Sequence, residues 1–205
     1  MRKFLSRKYN QYTKLKVRLR NNLITMLDQT FPGANTLFTT PARKAYGHEK
    51  WIDFVLKFPH CECISRKIYS AFSKCYLLWC KKCGYKFSGA KAKEIYELAC
   101  NCTPSLADSE AAHALVSAAI LQLNTLNETL ASLQKEMVLL ASSLPEYDTV
   151  MSLFGVGSVL GSQLIAEIGD VSRFSNKKAL VGFAGIDAPP FQSGNFNPQS
   201  RSISK

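Results

Sequence analysis

Residues 112–144 read AHALVSAAILQLNTLNETLASLQKEMVLLASSL, in which Ala112, Val116, Ala119, Leu123, Leu126, Leu130, Leu133, Met137, Leu140 and Leu144 recur in alternating steps of four and three. A helix of 3.6 residues per turn keeps positions so spaced on one face. The stretch therefore predicts one continuous coiled-coil helix over 106–144, a rod on the order of 50–60 Å long. Asp108 or Ser109 can open it and Pro145 stops it. The flanking Gln122, Asn124, Asn127 and Gln134 are polar with little charge, so charge pairing does not select the partner. That partner is either the amino-terminal helix of the same chain, packed antiparallel, or the same helix of a second copy. The plainer alternative is a buried helix in a compact bundle.

The amino end repeats the pattern. Leu5, Tyr9, Tyr12, Lys16, Leu19, Leu23 and Met26 follow the same steps, which predicts a helix to about Gln29, ended by Phe31-Pro32-Gly33. A turn-rich link with Pro41 and Gly47 spans 34–47, and shorter helices are expected over 48–57, 60–80 and 89–100, broken at Phe58-Pro59 and Gly84. The fold expected is mainly α: long antiparallel coiled-coil helices followed by a small helical domain. Its three parts are 1–104, 105–144 and 145–205.

Charge is distributed unevenly over the 205 residues. The net charge of +11 divides into 20 basic against 6 acidic residues over 1–100, so +14, and 6 against 9 over 101–205, so −3. No acid precedes Asp28, leaving Arg2, Lys3, Arg7, Lys8, Lys14, Lys16, Arg18 and Arg20 as a continuous positive run whose natural partner is a polyanion. A solvated helix face is the plainer reading of such a run. No apolar run reaches the roughly 18–20 residues needed to span a bilayer, and the amino terminus lacks the apolar block of a signal peptide. These features predict a soluble cytoplasmic protein with no membrane partner.

Seven cysteines in that setting argue against disulfides. Cys80, Cys83, Cys100 and Cys102 approximate the paired spacing of a four-thiolate zinc site, with Cys61, Cys63 and Cys75 nearby, although the second pair has one intervening residue and sits at a helix end. Zinc binding by this set stays open.

Residues 153–170, LFGVGSVLGSQLIAEIGD, predict a helix-hairpin-helix. Val150, Leu153 and Phe154 close one helix, Gly155 and Gly157 make the turn, and a second helix starts near Ser158 with Val159, Leu160, Leu164, Ile165 and Ile168 inward. Backbone N–H groups at the start of that helix can face a DNA phosphate. A plain interhelical turn remains the alternative, since the turn itself holds no basic residue. Further on, Ser193 stands beside Gly194, with Arg201 and Lys205 downstream.

The run LPEYDTVMSLFGVGSVLGSQLIAEIGDVSRFSNKKALVGFAGIDAPPFQSGNFNPQSRSISK resembles the C-terminal domain of Piv-like insertion-sequence transposases, the IS one-ten family. RLRNNLITMLDQTFPGANTLF and the leucine heptads resemble its middle region. The resemblance implies DNA transposition and recombination, with Ser193 as the nucleophile and DNA contacts at Arg7, Lys8, Arg18, Arg20, Gly155, Gly157, Ser158, Arg201 and Lys205. It further implies homo-oligomers, a structured guide RNA, and Mg²⁺ held by a separate RuvC-like acidic domain, with no metal or other cofactor held by this chain. The chain holds only six Asp and nine Glu and no strand-rich stretch to carry that domain. It is therefore expected to be a truncated piece of a transposase, inactive alone. A non-catalytic nucleic-acid-binding coiled-coil protein is the alternative, and a coiled-coil scaffold a third.

Overall fold

A computed structural model describes residues 1–39 and 48–185, and these are helical with no strand among them. Helix α1 spans Arg2–Thr30 and ends where the Phe31 N–H donates to Leu27 O at 2.7 Å. Pro32 follows, and Gly33 takes a φ of +80° that other residues resist, so the helix cannot continue. Next come α2 (Lys50–Lys57), α3 (Glu62–Ser65), α4 (Tyr69–Cys83) and α5 (Gly89–Asn101). The long helix α6 (Glu110–Ser142) leads to α7 (Tyr147–Met151), α8 (Ser158–Ile168) and α9 (Lys177–Phe183).

The rod forms as expected from its repeat, without a break, and its partner is α1 of the same chain. Ser109 caps α6 by accepting the Ala112 N–H at 3.2 Å. At one end Leu106 donates to Gln29 O at 3.0 Å, and at the other Leu5 meets Met137 and Ala141. The two helices therefore run antiparallel. The buried face of α6 follows the predicted seam over most of its length and is wider than it. Ala112, Val116, Leu123, Leu126, Leu130 and Met137 are buried as expected, and Ile120, Asn127 and Ala141 are buried beside them, whereas Ala119, Leu133, Leu140 and Leu144 are only half-buried. The physical reason is that α2 and α8 also pack on α6, so three neighbours cover a broader stripe than a two-helix seam.

The single helix expected over 60–80 is instead two, α3 and α4. Ile64, Ile68, Phe72 and Tyr76 would share one face of a continuous helix. Ile68, however, is extended, with ψ at 147°, and 72% exposed. The Tyr96 hydroxyl donates to Lys67 O at 2.8 Å, occupying a carbonyl that a continuing helix would use. The split lets Ile64 and Phe72 both enter an aromatic core centred on Phe54. Its ring lies 5.4 Å from Phe38, 5.0 Å from Phe58 and 5.6 Å from Trp79. Phe72 stacks on Tyr76 and on Tyr96, at 6.1 and 6.0 Å. The molecule thus has an aromatic body, an α1–α6 rod rooted in it, and α8 seated at the far end of the rod.

Candidate nucleic-acid interface

The positive run on α1 divides by helical geometry. Arg7, Lys14 and Arg18 lie at steps of seven and four on one face, and all three are exposed with no ion pair among the described residues. Arg20 is about 200° further round the helix than Arg18 and points into the body. There its guanidinium pairs with Glu49 at 3.3 Å and lies 5.4 Å from the Trp51 ring. Lys8 is half-buried, 5.5 Å from the Phe4 ring. Lys3 pairs with Glu167 of α8 at 3.2 Å.

The segment after the rod folds as helix, turn, helix, with differences from expectation. Helix α7 has only five residues and stops at Met151, so Leu153 and Phe154 belong to the turn, where Phe154 is fully exposed. Gly155 takes a φ of +81°, and extended Gly157 precedes Ser158, the first residue of α8 as predicted. No side chain caps α8, so its first N–H groups have no side-chain acceptor. Leu160 does not pack inward but is 45% exposed. The buried face is Gly161, Ser162, Ile165 and Ala166, of which Ser162 and Ala166 meet Leu5 of α1 and Met137 and Ala141 of α6.

Gly161 is a residue that the sequence reading missed. A Cβ there would stand 2.7 Å from Met151 Sδ, so its missing side chain makes room for α7. A Gly-Ser pair three and four residues before Ile165-Ala166 was the available signal.

Helix α8 runs opposite to α1. Gln163 Nε2 donates to Asn10 Oδ1 at 2.8 Å, and Glu167 reaches back to Lys3. Ser158 lies five residues before Gln163, about 7.5 Å along the axis, so the amino end of α8 is directed toward Lys14 rather than toward Met1. The positive end of its dipole is thereby directed toward the middle of α1, near Lys14, with Arg7 on one side of it along α1 and Arg18 on the other.

Beyond α8, Asp170 accepts from the Ser172 N–H at 2.9 Å and hydroxyl at 2.7 Å, and these bonds hold its carboxyl below the usual range. Arg173 lies 4.6 Å from both the Phe174 and Phe183 rings, and Asn176 caps α9. Ser193, Arg201 and Lys205 lie outside the described residues.

The four cysteines weighed for zinc are not brought together. Cys80 is buried on α4, Cys100 is exposed on α5, and Cys102 donates to Pro32 O at 3.3 Å. Burial raises the Cys80 and Cys102 thiols and pushes Cys61 up to about 11, so these are neutral packing groups.

Residues 147–205 match the family described as Transposase IS116/IS110/IS902. The matched stretch is under a third of the chain, and it is this carboxy-terminal part that is similar to a transposase family. No curated protein and no solved structure shows significant similarity to it. No helix among the described residues is long and apolar enough to cross a membrane.

Proposed function

We infer that this chain is the rod-and-catalytic-tail portion of a DNA transposase. In this reading the exposed face of α1 and the amino end of α8 hold nucleic acid phosphates while Ser193 supplies the nucleophile. The observation that carries the reading is the seating of α8, part of the family-matched segment, antiparallel on α1 at Lys3 and Asn10, on the helix that also exposes Arg7, Lys14 and Arg18. Three exposed guanidinium and ammonium groups on one face can neutralise backbone phosphates without reading base sequence. Helix N-terminal N–H groups add an anion site that carries no sequence preference either.

At the reacting phosphate, the Ser193 oxygen forms a bond to phosphorus as the bond to the departing DNA oxygen breaks, and the serine proton ends on that oxygen. The phosphoserine ester conserves the energy of the broken bond, so a second DNA hydroxyl can reverse the step and rejoin strands. Arg201 and Lys205 neutralise the phosphorane. The family resemblance implies Mg²⁺, an ion that prefers an all-oxygen shell. Each clustered donor set among the described residues includes an imidazole or a thiol, so these residues do not fit it, and no step here is routed through it. The chain alone is accordingly expected to bind without cutting.

A structured guide RNA is the second polyanion for the same surface. Homo-oligomers belong to this reading as well. The heptad face is occupied by α1, so a second copy uses the exposed Leu15, Leu121 and Leu139 instead, and light scattering on Leu121→Asp tests this. The main test is a gel-shift titration with duplex DNA and with structured RNA. The wild-type chain should shift both, and Ser193→Ala should bind equally well. In a protein that also carries the acidic domain, Ser193→Ala should lose the covalent protein–DNA adduct. An adduct that survives that substitution moves the nucleophile elsewhere, with Ser200 and Ser202 next.

A further inference from the structure

Away from the rod's basic face, three side chains from distant parts of the sequence converge. They are Cys63 on α3, Asp108 just before α6, and His113 in the first turn of α6. Cys63 Sγ lies 3.8 Å from His113 Nε2, and Asp108 Oδ1 lies 2.6 Å from that same nitrogen. All three donor atoms fall within 4.8 Å of one another. A proton relay from thiol to carboxylate would use one ring nitrogen for each partner. Here thiol and carboxylate face a single nitrogen, an arrangement that one ion placed between them satisfies.

The surroundings hold this geometry in place. The Glu62 N–H donates to His60 Nδ1 at 3.2 Å, and His60 Nε2 in turn donates to Leu106 O at 2.9 Å. Both His60 nitrogens are thus committed to backbone, so His60 is a positioning residue that ties the start of α3 to the segment before α6. Arg66 Nη1 holds Asp108 Oδ2 at 2.9 Å, leaving Oδ1 toward His113. The Ser109 cap fixes where α6 begins and therefore where His113 stands. The Asp108 side chain is 14% exposed and that of His113 37%, so an ion can enter and retain a water.

We propose that Cys63, Asp108 and His113 form a three-ligand site for one borderline transition-metal ion, Zn²⁺ first, with a fourth position open to water. Thiolate, imidazole and carboxylate are the zinc donor set, and the thiol disfavours Mg²⁺ and Ca²⁺. Tetrahedral zinc with ordinary bond lengths sets sulfur and nitrogen about 3.6 Å apart, close to the separation in the protein. The short Asp108–His113 contact opens to about 3.4 Å when the ion replaces the shared proton. The site joins α3 to α6, so the bound ion acts as a staple between the aromatic body and the root of the rod.

The test uses the full chain stripped with chelator and titrated with Co²⁺, then Zn²⁺. One equivalent of Co²⁺ should produce a thiolate-to-metal charge-transfer band that Zn²⁺ displaces, and Zn²⁺ should raise the melting temperature. Cys63→Ser should abolish the band, and Asp108→Asn and His113→Asn should each weaken binding at least tenfold, while Cys100→Ser leaves it intact. Circular dichroism checks folding, and if Cys63→Ser unfolds, the isosteric Asp108→Asn carries the test. Absence of a band at one equivalent, an unchanged band in Asp108→Asn, or loss in Cys100→Ser overturns the proposal. None of these readouts involves nucleic acid, so the site stands or falls apart from the transposase reading.

Discussion

Gln163 on α8 donates from its side-chain amide to the Asn10 side-chain carbonyl on α1 at 2.8 Å, across 153 positions of sequence. With the Lys3–Glu167 pair one turn further on, this contact orients the family-matched segment against the amino half of α1. Both contacts are exposed and add little to stability on their own. They act on direction, while Leu5, Met137, Ile165 and Ala166 provide the buried area that holds α8 in place.

The buried stripe of α6 makes its leucines unequal. Leu130→Ala removes a side chain that is 8% exposed and should lower the unfolding free energy by about 2–5 kcal/mol. Leu121→Ala, on the open side, should fall within about 0.5 kcal/mol of wild type. Asn127 is 3% exposed, and its amide has no hydrogen-bond partner among protein atoms, so Asn127→Leu should stabilise the fold by about 1 kcal/mol or more. Urea unfolding of the three variants gives all of these differences.

Gly161 and Met151 should behave as a coupled pair. The methionine sulfur is the end of a flexible chain and can move for a methyl group, so Gly161→Ala should cost under about 1 kcal/mol. Gly161→Leu should cost about 1–3 kcal/mol by overpacking, and adding Met151→Ala should recover most of that loss. A double-mutant cycle read by thermal unfolding measures the coupling.

Alkaline pH should unfold the aromatic body. Burial raises the Tyr76 hydroxyl and the neighbouring Cys80 thiol above their ordinary values, and burial raises Cys102 as well. Groups whose folded pKa exceeds the unfolded one bind protons more tightly when native. Their contribution is complete below the unfolded thiol value of 9.0 and falls as pH rises above it. Lys50, lowered chiefly by its own burial, works in the opposite sense and offsets part of the loss. Melting temperatures from pH 7 to 11 should hold level to about pH 9 and then decline. Tyr76→Phe should flatten the decline.

What was legible in the sequence is what depends on local periodicity. The repeat in α6, the Pro-Gly stop after α1 and the glycine turn before α8 each follow from spacing or allowed φ values, and each stands where expected. What failed depends on contacts between distant residues. The break between α3 and α4 rests on Tyr96 capturing a carbonyl 29 positions away, and the convergence of Cys63 with His113 spans 50. Arg20 looked equivalent to Arg18 in a linear count, yet two residues along a helix turn it toward Glu49 and Trp51. The broadening of the buried α6 face to Ile120, Asn127 and Ala141 reflects neighbours whose positions no repeat encodes.

The central claim, that the open face of α1 holds nucleic acid, is tested most directly by the salt dependence of duplex DNA binding. Log affinity should fall linearly with log salt concentration. The variant with Arg7, Lys14 and Arg18 all changed to Gln should have a slope shallower by about 2.7, at about 0.9 for each lost phosphate contact. Arg20→Gln should leave the slope near wild type, because that guanidinium is already paired with Glu49. No binding at low salt, or an unchanged slope in the triple variant, would contradict the account.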